Sequence, residues 1–99
     1  MDKNIKISIL CQIYGKLLTE KQYQVLDDYY NNDLSLSEIA ENLNISRTAV
    51  FNAIKNVTEK LTEYEEKLKL LQKQTILKET IDLEDITKIK QKITNILDM

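Results

Sequence analysis

Residues 35–56 read SLSEIAENLNISRTAVFNAIKN, and the caps and the turn in this stretch decide the fold. Ser35-Leu36-Ser37-Glu38 has the form of a capping box, in which the serine hydroxyl takes the Glu38 N–H and the glutamate reaches back to the Ser35 N–H. It opens a short helix through Leu43. Asn44 follows where the chain must turn with a positive φ, a conformation Gly adopts most readily and Asn next. Ser46 then stands as N-cap of a second helix. Ala40 is small where two such helices cross, and Ile39, Leu43, Ile45, Val50 and Ile54 supply the apolar contacts of the crossing. Every structural slot of a helix-turn-helix is filled.

Downstream, Val50, Ile54, Val57, Leu61, Tyr64, Leu68 and Leu71 step by four and three residues with no Gly or Pro among them. The seam predicts one unbroken helix to about Gln72 or Lys73. A small domain cannot cover all of it, so Leu61, Tyr64, Leu68 and Leu71 are assigned to a partner surface. Glu63, Glu65, Glu66, Lys67 and Lys69 clothe the other faces as solvated charge.

Upstream, Ile7, Leu10, Cys11, Tyr14, Leu17 and Leu18 share one face of a first helix, and Ile5, Ile9 and Ile13 lie on a neighbouring face. So wide an apolar arc implies cover on two sides, by the domain and by a second subunit or the C-terminal helix. Cys11 reads as a small buried hydrophobe rather than a reactive thiol. Thr19-Glu20-Lys21-Gln22 is a further capping box; it starts a helix near Glu20 that carries Tyr23, Leu26, Tyr29 and Tyr30 and ends at Asn31-Asn32-Asp33. The tyrosines at 14, 23, 29 and 30 can be read as a stacking surface for bases, but their helical spacing favours packing.

After Gln74 the pattern weakens. Asp82 is expected to cap a last amphipathic helix with Leu83, Ile86, Ile89, Ile93, Ile96 and Leu97 on one face and Glu84 and Asp85 in its first turn. Lys88, Lys90 and Lys92 are balanced by Glu84, Asp85 and Asp98, so this helix is read as packing on the long helix or across to a second subunit, not on a membrane. The expected organisation is a helix-turn-helix domain over residues 1–74 and a helical extension over residues 75–99.

Composition agrees. The 99 residues are 42% hydrophobic, with one Gly, no Pro and no Trp, which fits an all-α domain able to bury a modest core. With no His and one Cys, neither a metal site nor an internal disulfide is expected. No cofactor-binding loop and no nucleophile with a base beside it is evident, so no catalytic residue is assigned and the chain is not read as an enzyme. MDKNIKISIL lacks a sustained apolar core and no run approaches the length of a span, so neither a leader nor membrane insertion is expected and the cytoplasm is.

The candidate nucleic-acid-binding residues are Ser46, Arg47, Thr48, Asn52, Lys55 and Asn56. With Phe51 they point away from the Val50-Ile54-Val57 seam, onto the face that would enter a major groove. Arg47 and Asn52 suit base edges, whereas Ser46, Thr48 and Lys55 suit phosphates. The net charge of −2, with Glu38 and Glu41 on the preceding helix, opposes DNA, and Phe51 is unusual in a wet groove. Residue chemistry leaves a DNA reader and a protein-binding module both open.

LLTEKQYQVLDDYY at 17–30 and LSLSEIAENLNISRTAVFNAIKNVTEKLTEYEEKLKLL at 34–71 resemble the YlxM family of helix-turn-helix proteins from low-GC Gram-positive bacteria and their relatives. The likeness covers Ile5 to about Lys73; beyond Gln74 no resemblance is evident. Within it, SLSEIAENLNISRTAVFNAI is similar to region 4 of sigma factors, which reads the promoter −35 element. The resemblance implies a helical homodimer joined through helices outside the motif. The family's usual gene neighbours encode the signal recognition particle protein and its receptor, which implies a regulatory or accessory role in that pathway, with DNA, the particle's RNA or its protein component as partners. Where the family commonly reads AVYDNIKR, this chain has AVFNAIKN at 49–56, with Phe51 in place of Tyr and Asn56 in place of a basic residue.

Overall fold

The computed structural model describes residues 1–83 and 85–99, and these are all-helical, with no strand among them. The helices are α1 (Lys3–Tyr14), α2 (Glu20–Tyr30), α3 (Leu36–Leu43), α4 (Arg47–Leu68), α5 (Leu70–Ile81) and α6 (Ile86–Leu97), with a 3-10 turn at Gly15–Leu17. The chain forms two compact units, Met1–Tyr64 and Glu65–Met99.

In the first unit each helix starts on a side-chain cap. Asp2 accepts the Asn4 and Ile5 N–H groups at 2.9 and 3.3 Å, so α1 begins four residues before the apolar stripe does. Thr19 and Gln22 close the predicted box at 3.1 and 3.0 Å, and Ser35 and Glu38 close theirs at 3.0 and 3.1 Å. The α1 stripe stops short of the expectation. Ile7, Leu10, Cys11 and Tyr14 are buried, but the helix ends at Tyr14 and the tighter turn that follows rotates Leu17 out to solvent and leaves Leu18 half-buried. Gly15 sits where a Cβ would stand 2.8 Å from the Tyr23 ring, so any larger residue at the α1–α2 corner requires that ring to move.

The core joins Ile7, Leu10, Cys11 and Tyr14 to Val25 and Leu26 of α2, Ile39 and Ala40 of α3, and Val50, Ile54, Val57 and Leu61 of α4. Each large member contributes roughly 1.5–3 kcal/mol by leaving water. Tyr14 meets Tyr64 with ring centroids 5.9 Å apart, and the Ser8 hydroxyl donates to Asn31 at 2.6 Å, tying α1 to the end of α2.

The predicted unbroken helix to Gln72 or Lys73 is corrected. It ends at Leu68, because Lys69 takes a left-handed conformation (φ 55°, ψ 33°) and α5 restarts at Leu70. Heptad spacing continues across the break in sequence, but Leu71 belongs to the next helix. In the second unit α5 and α6 pack as a hairpin, and the helix from Leu70 to Ile81 is an element the weakened periodicity does not reveal. Asp82 ends α5 instead of capping α6; the cap is Asp85, which accepts the Thr87 and Lys88 N–H groups at 2.8 and 3.4 Å. Glu84, assigned to that first turn, lies outside the described residues. Ile89 and Ile96 are half-buried, whereas Ile86, Ile93 and Leu97 remain exposed.

Candidate nucleic-acid interface

Asn44 takes the left-handed conformation its position demands (φ 56°, ψ 45°). The Ile45 N–H then reaches the Ala40 carbonyl at 3.0 Å, the six-to-one bond that closes a helix on such a residue. Ser46 accepts the Ala49 N–H at 3.0 Å and starts α4.

Val50, Ile54, Val57 and Leu61 take the buried side of α4. Ser46, Arg47, Thr48, Phe51, Asn52, Lys55 and Asn56 are all exposed, as the seam predicts. From Arg47 to Lys55 this face spans about 12 Å along the helix axis. It can donate hydrogen bonds from a guanidinium, an ammonium, two amides and two hydroxyls; the Ser46 oxygen accepts from Ala49, so its proton is the one left to give. The first N–H groups of α4 open beside Ser46 and Arg47, where an anion is favoured.

Arg47 and Lys55 are the only charges from Ser46 to Thr58, and neither engages an acid among the described residues. Glu38 is turned back onto Ser35, which holds its carboxylate at the start of its own helix, while Glu41 is exposed. Phe51 exposes 54% of its surface amid these polar groups.

The residues assigned to a partner surface separate. Ile5 is exposed and Ile9 and Ile13 are half-buried, while Leu68 is exposed and Tyr64 and Leu71 are half-buried. Leu61, at 0% exposure, is wholly committed to the core and offers no surface. Cys11 is buried as well; desolvation pushes its thiol above the ordinary value and the nearby Asp27 charge adds to the rise. Among the described residues no group of three or more acids and cysteines is placed to hold a metal ion, and no helix is long and apolar enough to cross a membrane.

Glu65 carries a role the sequence reading missed. Taken there as solvated charge, it instead caps α5, accepting the Leu71 and Gln72 N–H groups. Its spacing of six residues from the capped amide fits no local capping pattern, so only the structure exposes it.

Comparison with known proteins adds the lineage. The profile of a family described as "Putative helix-turn-helix protein, YlxM / p13 like" matches residues 1–98, which extends past Gln74 into the stretch with no evident resemblance. A protein of this family from Fusobacterium nucleatum is 48% identical over 101 residues, covering 98% of each chain. One from Clostridium kluyveri is 52% identical over 79 residues, covering 80% of this chain and 71% of its own. One from Malacoplasma penetrans is 53% identical over 74 residues, covering 75% and 69%.

Proposed function

The chain belongs to the family of YlxM and p13-like helix-turn-helix proteins, and from that premise we propose that Ser46, Arg47, Thr48, Asn52, Lys55 and Asn56 hold nucleic acid. The observation that carries the reading is the α4 face itself: seven exposed residues free of acid, with both cations meeting no acid among the described residues, in a chain whose net charge is −2. A locally cationic face in an acidic protein binds phosphates at one place and repels them elsewhere. The protein acts as a non-catalytic regulator in the cytoplasm, as a homodimer joined through helices outside the motif. Its place in the signal recognition particle pathway rests on the family resemblance.

A second reading is favoured by the exposed acid Glu41 and by the small number of cations: the motif serves as a scaffold that binds the particle's protein component. Anisotropy of labelled duplex DNA and of the particle's RNA, titrated at low and physiological salt, separates the two. Phosphate contacts give saturable binding that falls steeply with salt, and Arg47→Ala or Lys55→Ala each flatten the log–log slope by about one. Absence of saturable binding at either salt rejects the nucleic-acid reading and leaves the scaffold.

A further inference from the structure

Phe51 has no use in phosphate or base-edge hydrogen bonding, yet it occupies the middle of the face. It is the single phenylalanine of the chain, and more than half of its surface is in water. Arg47 stands four residues before it and Lys55 four residues after, so each cation lies one helical turn from the ring along the same side of α4. The rings that do pack together are Tyr14 with Tyr64 and Tyr29 with Tyr30; among the described residues none packs on Phe51. A flat apolar side chain between two cations that meet no acid among the described residues matches a nucleotide whose base has left its stack, with the base against the ring and the neighbouring phosphates against Arg47 and Lys55. A continuous duplex offers only base edges; a phenyl ring can touch a thymine methyl there but keeps its face in water.

We propose that Phe51 is a stacking platform for an unpaired base, which makes the α4 face a reader of single-stranded or loop nucleotides, RNA or DNA, in preference to duplex. The proposal rests on the nucleic-acid reading above and fixes its substrate class. It gives the exposed aromatic a role beside Asn52 and Asn56, whose exposed amides can hydrogen-bond a base edge that pairing no longer hides.

The test uses the full chain and labelled probes of equal phosphate number: a single-stranded RNA, a single-stranded DNA of the same sequence, and a blunt DNA duplex. Both single strands are expected to bind more tightly than the duplex. Phe51→Leu is expected to weaken single-strand binding about tenfold and to leave the duplex unchanged, while Phe51→Tyr retains affinity. A 2-aminopurine base in the single strand loses fluorescence on stacking with the wild type and keeps it with Phe51→Leu. A preference for RNA over DNA assigns the source and supports the proposal equally. Duplex bound as tightly as single strand, or Phe51→Leu without effect on any probe, overturns the proposal while the broader reading stands. Failure of every probe to bind overturns both.

Discussion

The carboxylate of Glu65 reaches six residues forward and accepts the Leu71 N–H at 3.0 Å and the Gln72 N–H at 3.3 Å. With Lys69 left-handed between them, the pair ends one helix and starts the next without Gly or Pro. Lys69→Gly is therefore expected to stabilise the protein by about 0.5–1 kcal/mol, because Gly takes this conformation freely. In an unbroken helix the same change would cost about 1 kcal/mol. The sign of the shift in the denaturant midpoint decides between a broken and a continuous helix.

Asn44 gives the parallel case inside the motif. Asn44→Gly is expected to be neutral or mildly stabilising, and Asn44→Ala to cost about 1–2 kcal/mol by forcing a Cβ-bearing residue without local hydrogen-bonding into the left-handed region. In a chain of this size that lowers the thermal midpoint by roughly 4–15 °C. An unchanged midpoint for Asn44→Ala would remove the turn geometry on which the α4 face depends.

Gly15 and Tyr23 should be coupled. Gly15 has ordinary helical φ and ψ (−55°, −33°), so its conformation alone would welcome alanine. The added Cβ meets the Tyr23 ring at 2.8 Å instead. Gly15→Ala is expected to destabilise by about 1–3 kcal/mol in the wild type and to become stabilising in a Tyr23→Ala background. A double-mutant cycle by chemical unfolding measures the coupling; additivity would place the ring elsewhere.

The Cys11 thiol holds its proton more tightly in the folded protein than in the unfolded chain, since burial first and Asp27 second disfavour the thiolate. Stability from this group is complete below the ordinary thiol range and is lost as pH rises through the higher folded value. Unfolding free energies across that range should therefore fall more for the wild type than for Cys11→Ala. Alkylation of the native protein at neutral pH should be slow, and rapid labelling would mean that the core opens there.

What could be read from sequence follows from the range of the interaction. Ser35, Glu38, Thr19, Gln22, Asn44 and Ser46 act on amides within a few residues, so their roles are written in local spacing, and the structure places each as expected. The α4 face was legible for the same reason, being the complement of a seam at helical period. The errors begin where a longer reach decides. Leu17 obeys the period but loses it to the tight turn after Tyr14, and the break at Lys69 overrides a heptad that runs through it. Asp82 and Asp85 are both good capping residues three positions apart, and the structure ends α5 on the first and starts α6 on the second.

The second unit has consequences of its own. Among its described residues Thr80 alone is buried, and its hydroxyl donates to the Ile76 carbonyl within the same helix, so the α5–α6 hairpin has little dry interior of its own. Free energy of local opening scales with such burial, and a segment so built samples open states far more often than a core holding Leu26, Ile39 and Leu61. In a native-state exchange experiment the amides of Leu77 and Ile93 are expected to trade deuterium well ahead of those of Leu26 and Val50, as a separate cooperative group. Two stabilities are thus expected along one sequence, with a protease cutting within the second unit before the core of the first unfolds.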